Sequence, residues 1–93
     1  MDAELVMDDL VSISEVSMAQ LVIWKVPKPV RGSTHPFKYR LAYVVRGRCV
    51  LRYDNEAGKG DHIHFGDAER PYEFRSIERL LRDFWRDVVG LEP

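Results

Sequence analysis

The amino-acid sequence predicts an α+β fold, a small antiparallel β-sheet of four to five strands with a C-terminal α-helix packed on one face. Three observations predict it. Short runs rich in β-branched and aromatic residues alternate in polarity before residue 54. A glycine-bearing turn, Arg46-Gly47, joins two of them as a hairpin. Near the end, Ile77, Leu80, Leu81, Phe84, Trp85 and Val88 fall at i, i+3, i+4, i+7, i+8 and i+11, one face of an amphipathic helix. The chain of 93 residues is read as one domain spanning 1–93, able to bury a single core with little surplus stability.

Taken in order, residues 3–13 alternate loosely and read as a strand, and residues 14–18 turn the chain. Residues 20–26 form a second strand. Pro27 and Pro29 end it, because proline has no N–H for a ladder and restricts the residue before it. Residues 30–36 are a loop, followed by the hairpin of 37–45 and 48–53. In its first strand Tyr39, Leu41, Tyr43 and Val45 share one face, and Lys38, Arg40, Ala42 and Val44 share the other. Residues 54–61 are too rich in glycine and charge to continue a strand, and short extended segments are expected at 63–65 and 71–74. Ser76 is a natural N-cap for the helix and Gly90 a natural stop. Phe84 and Trp85 are expected in the core. Arg79, Arg82 and Arg86, interleaved with Glu78, Asp83 and Asp87, form a solvated face with pairs such as Glu78 and Arg82.

A net charge of −1 conceals a strong segregation. Residues 1–24 carry five acids and no Lys or Arg, whereas residues 25–53 carry eight bases and no acid. Such an unmixed stretch leaves a local positive field that a phosphate-bearing partner feels, unless acids elsewhere fold over it. No apolar run approaches the roughly 20 residues of a membrane span, and the acidic N-terminus lacks the features of a signal peptide. Cys49 is the single cysteine and falls in an apolar alternating run, so a buried, reduced thiol is expected. These features point to a cytoplasmic protein without a membrane partner.

Two segments concentrate the chemistry. Ser33-Thr34-His35-Pro36-Phe37-Lys38-Tyr39-Arg40 and Tyr53-Asp54-Asn55-Glu56-Ala57-Gly58-Lys59-Gly60-Asp61-His62-Ile63-His64 hold all three histidines. Gly58-Lys59-Gly60 offers positive φ and a cation together, an anion-approaching turn, although it matches no P-loop pattern. His62 and His64 project to one face of an extended segment, with Ile63 on the other. Imidazoles titrate near neutrality, so such a pair can supply a general base and a general acid without a cofactor. Cleaving RNA through its own 2′-hydroxyl needs that base, that acid and cations on the phosphate. His35, His62, His64, Lys59 and Asp61 are the candidate catalytic residues. Lys38, Arg40, Arg52 and Lys59 are the candidate phosphate contacts, while Asp54, Glu56 and Tyr53 orient the site. A divalent metal on His62, His64, Asp61 and His35 is a weaker alternative, with no cysteine nearby.

The same residues resemble the TumE family of small toxin-like proteins. The resemblance covers nearly the whole chain, including Trp24-Lys25-Val26-Pro27, the approach through Ser33 and His35, and Lys38-Tyr39-Arg40. Its specific part is Gly58-Lys59-Gly60-Asp61-His62, and Ile63 stands where a polar or basic residue would fit the pattern. The resemblance implies the toxin of a type II toxin–antitoxin module, held inactive by a cognate antitoxin protein. It supplies no catalytic assignment. The leading expectation is therefore a toxin acting as a metal-independent endoribonuclease with RNA as substrate. The rival is a non-catalytic module whose basic hairpin binds nucleic acid or a partner, and an exposed sheet edge would suit either a homodimer or an antitoxin strand.

Overall fold

The computed structural model describes residues 2–92. The chain runs β1 (Glu4–Ser12), β2 (Ser17–Lys25), β3 (Phe37–Val45), β4 (Arg48–Glu56), β5 (Gly60–Phe65), β6 (Ala68–Pro71) and α1 (Ile77–Leu91). The strands form one open antiparallel sheet in sequence order, so each strand pairs with its neighbours in the chain. The sheet has six strands rather than four to five. The additional pairing is supplied by β6, a short strand whose charged sequence gives no strand signal and which forms by pairing with β5.

Period-two alternation divides the sheet into two unlike faces. Ala19, Leu21 and Ile23 of β2, Tyr39, Leu41 and Tyr43 of β3, Leu51 and Tyr53 of β4, and Ile63 of β5 pack against Leu80, Phe84 and Val88 of α1. All of them are buried. The helix starts where expected, with Ser76 Oγ accepting the Arg79 N–H at 3.0 Å. It runs through Gly90 to Leu91 instead of stopping there. Glu92 ends it and accepts from Ser17 and Tyr43, so a tertiary contact beyond the glycine fixes the final turn.

Every tyrosine donates its hydroxyl to a carboxylate, and three of the four acceptors belong to the helix or its cap. Tyr72 meets Asp83 at 2.7 Å, Tyr53 meets Asp87 at 2.5 Å, and Tyr43 meets Glu92. These bonds follow the helix across the sheet, from beyond β6 over β4 to β3. Burial, and then the neighbouring carboxylate, pushes the Tyr43 phenol up to about 12 and raises Tyr39, Tyr53 and Tyr72 further. A raised phenol pKa means that the folded chain holds the proton more tightly than the unfolded one. That stabilisation is whole below about pH 10 and is lost as pH rises through the folded values. Phenolate absorbance is therefore expected to stay flat near pH 10 and to rise together with the loss of circular dichroism. Tyrosines ionising near pH 10 in a folded protein would contradict these contacts.

Two details depart from simple alternation. Arg46 and Gly47 turn with φ of 50° and 77°, the left-handed pair expected of a two-residue hairpin. Just past the turn, Tyr43 pairs with Leu51 but Val44 pairs with Cys49, leaving Val50 as a bulge. The bulge rotates Cys49 off the core side, so the thiol is exposed rather than buried. Strand β4 also continues through residues 54–56, where the glycine and charge content had pointed to a loop. Asp54 pairs with Arg40 on one side and His62 on the other, and Asn55 is fully buried, so cross-strand partners overrule local composition.

Candidate functional site on the uncovered sheet face

The helix covers one face of the sheet and leaves the other open. Alternation directs Lys38 and Arg40 of β3, Arg52 and Asp54 of β4, and His62 and His64 of β5 onto that open face. The register aligns them in two rows. Val22, Arg40, Asp54 and His62 lie across one row, and Gln20, Ala42, Arg52 and His64 across the next.

His62 and His64 sit side by side, with ring centroids 6.4 Å apart. Each side chain is 18% exposed, open enough for a substrate to reach. His62 Nδ1 lies 3.2 Å from the Gly60 carbonyl oxygen, which only accepts, so Nδ1 donates and the neutral ring carries its lone pair on Nε2. His64 is held from both sides, with Nε2 3.3 Å from Asp54 Oδ1 and Nδ1 3.7 Å from Glu69 Oε2. Glu69 also reaches His62 Nε2, at 3.6 Å. Asp54 in turn accepts from Arg52 Nε at 2.9 Å. A chain of Arg52, Asp54, His64, Glu69 and His62 results, with alternating charge types.

His35 and Asp61 lie on the other side of the sheet. The sequence groups them with His62 and His64, but Asp61 is one residue out of phase with that pair and points beneath the helix-covered face. There Asp61 accepts from Ser33 Oγ at 2.6 Å, Tyr39 hydroxyl at 2.6 Å and His35 Nε2 at 2.7 Å. His35 Nδ1 accepts the Phe37 N–H, so both ring nitrogens are occupied, and the ring stacks on Phe74 with centroids 3.7 Å apart. This is a buried clamp tying the 27–36 loop to β5. Tyr53 is likewise in the core, bonded to Asp87, and does not reach the open face.

The turn at Gly58-Lys59-Gly60 serves packing. The Gly58 N–H donates to Arg31 O at 2.7 Å and the Lys59 N–H to Glu56 O at 3.0 Å, so these amides are not free to cradle an anion. Lys59 itself is exposed and lines a shallow depression of about 310 Å³ with Gly32, Asp61 and Phe74, away from the two histidines. Glu56 is exposed at the end of β4. Gly60 and Gly32 meet backbone to backbone. A Cβ on Gly60 would stand 2.7 Å from Gly32 O, and Gly60 holds φ at 76°. Gly60→Ala is expected to destabilise the fold by about 2 kcal/mol or more, read as a lower denaturation midpoint at unchanged slope.

Three contributors escape a reading of the sequence. Glu69 lies in a stretch without strand signal and meets the histidines only through β5–β6 pairing with His64. Asn55 is fully buried, its Oδ1 accepting the Tyr39 N–H at 3.0 Å and its Nδ2 donating to Phe37 O at 2.7 Å. Trp24 is the third, a large aromatic side chain left 38% exposed on β2 opposite Lys38. Among the described residues, Arg52 is the one Lys or Arg between positions 25 and 53 in a salt bridge. No group of three or more His, Cys, Asp or Glu side chains among the described residues is arranged to hold a metal ion. No helix among them is long and apolar enough to cross a membrane.

Comparison with known families gives a match to the model described as Toxin TumE over residues 3–92, nearly the whole chain. No curated protein and no solved structure matches. A match of this extent carries the toxin role in a toxin–antitoxin system and a cognate antitoxin as partner. The chain belongs to the TumE toxin family.

Proposed function

We propose that this toxin is a metal-independent endoribonuclease that cleaves single-stranded RNA on the open face of its sheet. The observation that carries the reading is the pair His62 and His64, half-buried with ring centroids 6.4 Å apart, on the same face as three basic side chains. His62, whose neutral ring carries its lone pair on Nε2 with Glu69 3.6 Å away, takes the proton of the 2′-hydroxyl. The resulting alkoxide attacks the adjacent phosphorus and the bond to the 5′-oxygen breaks. His64, with an acceptor beside each ring nitrogen, donates a proton to that leaving oxygen. Arg52 and Arg40 stand ready to offset charge on the phosphate, and Asp54 and Glu69 hold the rings in place. The products are a 2′,3′-cyclic phosphate and a 5′-hydroxyl. Base, acid and cations are all protein side chains, so no metal ion enters the scheme.

The test is to incubate purified protein with RNA in EDTA and identify the ends formed. Cyclic phosphate ends are expected. Binding without turnover under any condition would replace this reading with that of a non-catalytic nucleic-acid-binding module, and cleavage abolished by chelator would replace it with metal-dependent hydrolysis.

A further inference from the structure

The open face carries a second feature outside the histidine cluster. Gln20, Val22 and Trp24 of β2, with Lys38 and Arg40 of β3, enclose a shallow depression of about 300 Å³. Its floor is apolar and its rim is cationic. Trp24 is 38% exposed, an unusual position for a large aromatic side chain that the core does not need. The register places Trp24 opposite Lys38, and Val22 opposite Arg40. Lys38 Nζ donates to Asn55 O at 2.6 Å and Arg40 makes one long contact, 3.4 Å, to Gln20. An ammonium has three donors and a guanidinium five, so both cations keep donors for a ligand.

We propose that this depression is a nucleobase subsite for single-stranded RNA. A base stacks on the Trp24 indole while Lys38 and Arg40 hold the flanking phosphates, the pairing of aromatic platform and cationic track that single-strand binders use. Val22 and His62 share a row and are separated by three strand spacings, about 14 Å. That distance exceeds one nucleotide but suits a short extended run, with Arg40 lying between the stacked base and the histidines. The subsite therefore fixes where along the strand the histidines act. It rests on the proposal that this face binds RNA and adds the group that grips the substrate.

A short RNA with methylated 2′-hydroxyls separates binding from cleavage, because it cannot be cut through its own hydroxyl. Its affinity, measured by fluorescence anisotropy, is expected to fall roughly ten- to a hundredfold in Trp24→Ala and to be mostly retained in Trp24→Phe. Lys38→Ala should lower the salt dependence by about one unit of slope, whereas Trp24→Ala should leave that slope unchanged. Equal affinity of Trp24→Ala and wild type overturns the subsite, as does equal loss in the Phe and Ala variants. Unchanged RNA affinity with lost binding of the antitoxin would assign the depression to a protein partner instead. If the wild type cleaves nothing but binding depends on Trp24 as described, the catalytic reading fails and the subsite stands.

Discussion

Replacing His62 or His64 by alanine is expected to slow RNA cleavage by roughly 100- to 10,000-fold, the range for loss of a positioned acid or base. The fold should barely notice. Both rings lie on the open face and neither belongs to the core. Removing His64 also leaves Asp54 paired with Arg52 at 2.9 Å, so no buried carboxylate is orphaned. Each substitution should change stability by no more than about 1 kcal/mol. Because the two rings act in one step, the double variant is expected to be about as slow as either single variant rather than multiplicatively slower. Single-turnover kinetics and denaturant titration of the same preparations check both halves. Wild-type rates in either variant would remove the acid/base assignment, and multiplicative losses would mean that the rings act independently.

Asp61→Ala is expected to behave in the opposite way, with a stability loss of about 3–5 kcal/mol and an activity loss that follows unfolding. The carboxylate accepts from Ser33, Tyr39 and His35 at 2.6–2.7 Å, and the His35 and Asp61 side chains are each 8% exposed. Truncation leaves several donors inside the protein without an acceptor, each costing about 1–3 kcal/mol. It also releases the 27–36 loop that the clamp holds. Asp61→Asn, which keeps an acceptor oxygen and the shape, should recover part of the loss. The measurement is the denaturation midpoint, with activity assayed well below it. An Asp61→Ala protein that keeps wild-type stability but loses cleavage would return Asp61 to the catalytic group.

The contrast between these two residues follows from β-sheet geometry. Asp61 and His62 are adjacent in sequence, yet period-two alternation sends one to the helix-covered face and the other to the open face. One side of β5 therefore stabilises the fold while the other carries the proposed chemistry.

By itself, the sequence determined the α+β class, the hairpin around Arg46-Gly47, the face shared by Tyr39, Leu41 and Tyr43, the helix starting at Ser76, and the common projection of His62 and His64. These features depend on local φ preference, capping and periodicity, which neighbouring residues encode. Its extended motif, centred on Gly58-Lys59-Gly60-Asp61-His62, also carried the family. Tertiary structure alone decided which groups meet. Glu69 reaches the histidines because β6 pairs with β5. A bulge at Val50 turns Cys49 outward. Residues 54–56 become strand because two partners flank them, and His35 parts from His62 across the thickness of the sheet. Pairing, bulges and burial are set by residues distant in the chain, so a segment rich in reactive groups announces its chemistry while leaving open which side of the sheet each group will serve.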